Sequence, residues 1–169
     1  MVKGLISLRH LDRTDARILL ALDEDPAATT LSLARTLRLA RNTVYARLQR
    51  LQADGVLTLP SRRVEPAALG RPLLAFVTMQ IAQGNLDETL DGLSAVPEIL
   101  ELVATTGDGD LLARVVARDP EDLHTVTRRL LGVPGVVRTS TVLAMRMLVP
   151  HRTAPLLWEQ AAAEKNDAH

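Results

Sequence analysis

The sequence predicts an α+β fold in two parts, three helices followed by an antiparallel sheet with helices on one face. Three observations lead there. Between Thr30 and Gly55 apolar residues recur at spacings of three and four on both sides of a very short break: Leu33, Ala34 and Leu37, then Val44, Leu48 and Leu51. Gly55 ends that pattern, and VLTLPSRRVEP behind it alternates around a Pro60-Ser61 turn, as a small β ribbon does. Beyond Pro66–Pro72 the period changes to strands alternating with helices, and Val96-Pro97 and Val133-Pro134 repeat one junction in two halves.

Composition sets the frame. The 169 residues suffice for two small domains, with 47% hydrophobic content but only 2% aromatics, so the core must be aliphatic. With no Cys there is no disulfide, thiolate metal site or cysteine nucleophile. No signal peptide is recognisable, and no apolar run reaches the roughly 18 to 20 residues that span a bilayer, so a cytoplasmic location away from membranes is expected. The formal net charge is zero, yet residues 1–71 carry +5 and residues 87–167 carry −5. From Arg35 to Arg63 seven arginines face one aspartate. A cationic front joined to an acidic remainder suits a nucleic-acid-binding head on a body that avoids the same polyanion.

Taken in order, the first helix starts near Leu11, capped by Asp12 or Thr14, buries Leu11, Ile18, Leu19 and Leu22, and stops before Pro26. The second starts at Thr29 or Thr30. On the third, the positions outside the apolar stripe are Arg41, Asn42, Tyr45, Gln49 and Arg50. Cations and amides with no acid before Asp54 make a surface for an anionic, hydrogen-bonding partner, and two helices so joined form a helix-turn-helix whose second helix enters a major groove. Arg41, Asn42, Thr43 and Tyr45 are the candidates for base or groove contact. Arg38, Arg47, Arg50, Arg62 and Arg63 are the candidates for phosphate, with an intradomain ion pair as the alternative for Arg47.

After a hinge at 66–72, residues 73–82, 99–106, 111–117 and 136–148 read as strands, and 86–96 and 120–132 as helices, the second capped by Asp119. The order βαββαβ is the ferredoxin-like split βαβ arrangement. If Leu73, Ala75, Val77, Met79 and Ile81 face the helices, Leu74 and Phe76 open the other face; Val142, Ala144, Leu143 and Met145 make both sides of the last strand apolar. A second sheet is the expected cover, hence a homodimer. The end after Pro155, with Trp158, is either a short helix or a solvated tail. The expected divisions are 1–65, 66–72, 73–150 and 151–169.

Leu11-Asp12-Arg13-Thr14-Asp15 with Ile18-Leu19, Leu33-Ala34 and Val44-x-x-Arg47-Leu48-x-x-Leu51-x-x-x-Gly55-Val56-Leu57 resembles the N-terminal domain of the Lrp/AsnC "feast or famine" transcription regulators. The resemblance spans nearly the whole chain and implies double-stranded DNA as partner, a C-terminal RAM domain of ferredoxin-like fold, and homodimers that assemble further, for example into octamers. It departs at Ala40, where the family usually has a Ser; Ala cannot cap through its side chain, a loss of about 1 kcal/mol at that helix start.

Thr105–Asp110 joins the two central strands and by residue type reads as a hairpin turn. Gly107-x-Gly109 lacks the third Gly of a dinucleotide fingerprint, and Asp108 with Asp110 is a poor ligand set for a metal. The resemblance implies more: a Gly-Asp-x-Asp turn here is similar to the family's effector loop, which holds an amino acid or related small metabolite between dimers. Gly107, Asp108, Gly109 and Asp110, with Arg138, Thr139, Ser140 and Thr141, are then the effector candidates; carboxylates suit an α-ammonium and glycine N–H groups an α-carboxylate. The family often has an aromatic between the two aspartates, where Gly109 stands. No cofactor and no metal are expected. His10, His124, His151 and His169 never pair at i, i+4 and no nucleophile elbow occurs, so an enzyme is not expected. The reading is a sequence-specific regulator, against the alternative of a nucleoid-associated architectural protein without effector.

Overall fold

The computed structural model describes residues 10–58, 61, 64–82, 84 and 86–163, which fall into two units. One contains the described residues up to Ser61 together with those from Val149 onward; the other contains residues 64–148.

In the first unit three helices, α1 (Arg13–Glu24), α2 (Thr30–Leu37) and α3 (Arg41–Ala53), enclose a small aliphatic core. Ala16, Ile18, Leu19, Leu20, Leu33, Ala34, Leu37, Val44 and Leu51 are buried there, and Leu22 and Leu48 border them. Of the two caps the sequence offers for the first helix the structure takes Asp12, and the second helix starts at Thr30 behind Thr29 as its cap. Asp12 Oδ1 accepts from Asp15 N at 2.9 Å while Asp12 N donates to Asp15 Oδ2 at 3.2 Å, a reciprocal capping box. Thr29 Oγ1 accepts from Ser32 N at 3.1 Å. Ala40 begins α3 without a side-chain cap, and neither Asn42 nor Thr43 takes that role. Arg38 closes α2 in the left-handed region (φ 55°), so that Leu39 N can donate back to Ala34 O at 2.9 Å and turn the chain into α3.

Gly55 (φ +70°) folds the chain back, and Val56 N and Leu57 N both donate to Leu51 O. The expected ribbon forms no strand among the described residues 56–58, 61 and 64; Leu59, Pro60, Arg62 and Arg63 lie outside the described residues. Of the short helix and the solvated tail expected after Pro155, the described residues form the helix: α6 (Ala154–Ala162) packs along α1, with Arg13 Nε donating to Ala161 O and Gln160 Nε2 to Leu11 O, both at 2.8 Å.

The second unit holds β1 (Leu73–Ile81), α4 (Leu86–Ser94), β2 (Ile99–Ala104), β3 (Leu111–Ala117), α5 (Pro120–Leu131) and β4 (Val136–Leu143). The sheet order is β2-β3-β1-β4, with every pair antiparallel, as the ferredoxin-like reading requires. Ala75, Val77 and Met79 are fully buried against a core that includes Leu93, Val126 and Leu130 from α4 and α5. β4 stops at Leu143 rather than Leu148. Its register pairs Leu143 with Ala75, and β1 begins two residues before Ala75, so only Ala144 N finds a further acceptor, Leu74 O at 2.9 Å.

Residues Pro66–Leu69 form one 3-10 turn ending at Gly70 (φ +74°). Arg71 ties the end of this segment to the sheet unit, reaching Glu98 Oε1 at 3.3 Å and Asp122 Oδ2 at 3.4 Å. Glu98 is buried and is also paired with Arg129 at 2.9 Å, so its charge is compensated. Asp122 also accepts from Arg118 through both the guanidinium, at 2.7 Å, and the backbone N–H, at 2.9 Å. These bonds lower its carboxyl from 3.8 to about 2.

A carboxyl depressed in the folded state stabilises above its unfolded pKa, and that contribution is lost as pH falls through the folded one. Thermal melts should therefore show a steeper fall in Tm between pH 4 and pH 2 for the parent than for Arg118→Ala, which already lacks the interaction at neutral pH; parallel curves would contradict the assignment.

Candidate nucleic-acid interface and effector cavity

The four arginines proposed for the helix-turn-helix divide into two pairs. Asp15 is 1% exposed and projects from the first turn of α1 toward α3. Arg50 Nη2 lies 2.6 Å from each of its carboxylate oxygens, and Arg47 Nη1 is 2.7 Å from Oδ1 and 2.5 Å from Asp12 Oδ2. Burial pushes the Asp12 carboxyl up, but the Arg47 guanidinium and the N–H groups of Asp15 and Thr14 outweigh this and hold it below its ordinary value. Arg47 thus takes the intradomain pairing offered as its alternative, and Arg50 joins it.

Arg38 and Arg41 are exposed and enter no ion pair among the described residues. With exposed Asn42, Thr43 and Tyr45 they form one surface at the turn and the first part of α3, opposite buried Val44. Arg17 Nη2 donates to Leu37 O at 3.2 Å, placing a cation at the negative end of α2 just behind this surface. Arg62 and Arg63 lie outside the described residues.

In the sheet unit the 105–110 loop is held tightly. Thr105 N donates to Asp110 O, Thr105 Oγ1 to Gly109 O, and Asp110 N to Met79 O, at 2.9, 2.7 and 2.9 Å. The Asp110 carboxylate accepts from Ile81 N at 2.8 Å, so it anchors the loop to β1. Gly107 (φ +114°) makes the turn. Gly109 is buried, and a Cβ there would stand 2.1 Å from Thr78 Cγ2.

Beside this loop an open cavity of about 510 Å³ is lined by Thr78, Gln80, Asp108, Arg138 and Ser140. Register explains the set: Thr78 pairs with Ser140 and Gln80 with Arg138, so all four lie on the sheet face away from the helices. Gln80 Nε2 donates to Asp108 O at 2.8 Å and holds the loop over them. Thr139 and Thr141 pair with Met79 and Val77 and so lie on the opposite face of the strand, Thr139 half-buried and Thr141 exposed. Thr78 and Gln80 are lining residues the sequence reading did not name; the alternation of β1 could have found them. Among the described residues no three His, Cys, Asp or Glu gather as a metal site.

A helix-turn-helix joined to a ferredoxin-like domain is the architecture of a class of transcription regulator. The Lrp/AsnC ligand binding domain family matches residues 74–154, and a winged helix-turn-helix DNA-binding family matches residues 11–58. The HTH-type transcriptional regulator AldR of Mycolicibacterium smegmatis is 31% identical over 147 residues, 85% of this chain and 86% of that protein. AsnC of E. coli superposes with a TM-score of 0.75 at 21% identity, covering 87% of this chain and 100% of that one. The transcriptional regulator NMB0573 from Neisseria meningitidis, solved in complex with L-Met, gives a TM-score of 0.70 at 25% identity over 86% and 96% of the two chains. The chain belongs to the Lrp/AsnC family of transcriptional regulators.

Removing the Asp15 charge leaves two guanidinium groups facing a partner that no longer compensates them. Asp15→Asn should lower the unfolding free energy by about 2–4 kcal/mol in urea titrations; a change below about 0.5 kcal/mol, the scale of ordinary surface substitutions, would show that the lock contributes nothing.

Proposed function

We propose that this regulator grips duplex DNA through the surface formed by Arg38, Arg41, Asn42, Thr43 and Tyr45, that Arg62 and Arg63 add phosphate contacts, and that a small amino acid or related metabolite in the cavity of the sheet unit adjusts that grip. The observation that carries the DNA reading is the division of arginines: Asp15 consumes Arg47 and Arg50, leaving Arg38 and Arg41 as exposed cations beside a polar, acid-free helix start. Such groups position a helix on phosphates and read base edges. Residues 1–65 would then serve as the DNA-binding part, 66–72 as the hinge, and 73–150 as the effector-binding and oligomerising part, with the α6 segment serving the head it packs on.

The effector reading rests on the cavity, in which Asp108 and Arg138 present opposite charges to one space. In this reading Ser140, Gly107 and Gly109 support the ligand, while Thr139 and Thr141, turned away, support the strand. A homodimer would cover this same sheet face, so that a partner's sheet would help enclose the cavity; on it Phe76 and Val142 stand side by side and remain 37% and 63% exposed. Dimers would associate into higher assemblies. No described helix is long and apolar enough to cross a membrane.

Fluorescence anisotropy with labelled duplex tests the DNA reading. Arg38→Gln should weaken binding on all sequences and reduce the slope of log K against log salt by about one per engaged protomer. Arg41→Gln should cost specific sites more than nonspecific DNA. Parent-like affinity in the double variant, with its melting temperature unchanged, would defeat the proposed docking.

A further inference from the structure

We infer that the open face of the sheet unit carries a charge code for partner choice, in which Arg114 of each copy meets Glu101 of the partner subunit and so selects a second copy of this chain over a related one. The inference rests on the homodimer reading above and names the pair that decides its specificity.

Register places both residues on that face. Arg114 stands opposite Phe76 in β1 and opposite Glu101 in β2, while its neighbours in β3, Ala113 and Val115, are fully buried on the helix side. Leu112 and Val116 flank it along β3, so this guanidinium belongs to an inner strand and lies among apolar groups. Opposite charges directly across two strands ordinarily attract and pair. Here they do not: neither Arg114 nor Glu101 enters an ion pair among the described residues, and Arg114 Nε is buried without a hydrogen-bond partner. Glu101, on the edge strand β2 beside a register shift, remains exposed.

A donor without an acceptor costs most when a second surface removes the remaining water. A sheet laid on this face therefore has to bring a carboxylate to Arg114, and the face itself offers one in Glu101. In a two-fold interface any contact made by one copy is made in return by the other, so one meeting of Arg114 with Glu101 supplies two pairs. Asp108, a second carboxylate beside this face, already shares its cavity with Arg138. A related chain lacking an acid at the position of Glu101 would leave the guanidinium covered and unpaired, which is how an interface rejects a wrong partner. The apolar residues around the pair supply attraction; the pair supplies discrimination.

Sedimentation and native mass spectrometry of the full chain test the inference. The parent should be a dimer at micromolar concentration. Arg114→Glu and Glu101→Arg should each weaken self-association by about tenfold or more, because each sets like charges against one another. An equimolar mixture of the two should form mostly the heterodimer, with an affinity within about threefold of the parent's, a preference that a pair formed inside one chain does not produce. If a charge-reversed chain fails to fold, Arg114→Gln mixed with Glu101→Gln should still give more heterodimer than the statistical half, since only the heterodimer keeps a pair. A parent dimer whose variants self-associate as it does, or a mixture in statistical proportions, would overturn the pair and leave the homodimer standing. A monomeric parent would overturn both.

Discussion

The Asp15 carboxylate decides how the helix-turn-helix is put together. It lies in the first turn of α1, closes that helix's capping box, and is buried where α3 crosses. A buried charge is costly unless fully partnered, and here each oxygen meets guanidinium at 2.6–2.7 Å. The pairing fixes the middle of α3 to the start of the first helix. It also compensates for the α3 start, where Ala40 provides no cap. The same bonds determine which cations remain free, so a stability device in the interior sets the chemistry of the exterior.

A comparable constraint governs the sheet unit. β1 is one of the two inner strands of the sheet, and its pleat serves two purposes at once. Ala75, Val77 and Met79 enter the core, which forces Thr78 and Gln80 onto the other face beside Ser140 and Arg138. The 105–110 loop is then moored to the end of this strand by Asp110 and Gln80. Core and cavity thus depend on one register; a slip of one residue would exchange them.

Much of this was legible beforehand. The two apolar periods gave the helices and strands, the Val-Pro repeat gave the βαββαβ order, and β1's alternation named its buried face. Asp12, one of the two residues placed to cap the first helix, does so. What the sequence cannot signal is that Arg47 and Arg50, more than thirty residues away, close on the same carboxylate; long-range ion pairing leaves no local pattern, so Arg50 read as a free phosphate ligand. Thr139 and Thr141 were grouped with Arg138 and Ser140 because a continuous polar run is conspicuous, although a strand turns alternate residues to opposite faces. The last strand read too long because its apolar pattern continues to Met147, whereas pairing ends where β1 begins. The turn between β2 and β3 is legible as Gly-Asp-x-Asp, but the use of Asp110 as an anchor depends on where Ile81 N lies.

The division of arginines is the claim on which the DNA-binding account turns, and side-chain NMR reads it directly. In the full chain titrated with duplex, the Nε–Hε resonances of Arg38 and Arg41 should shift or broaden while those of Arg47 and Arg50 stay with Asp15, unchanged. The opposite result, with Arg47 and Arg50 moving and Arg38 and Arg41 unaffected, would show that the lock opens onto DNA and that the exposed pair is not the gripping surface.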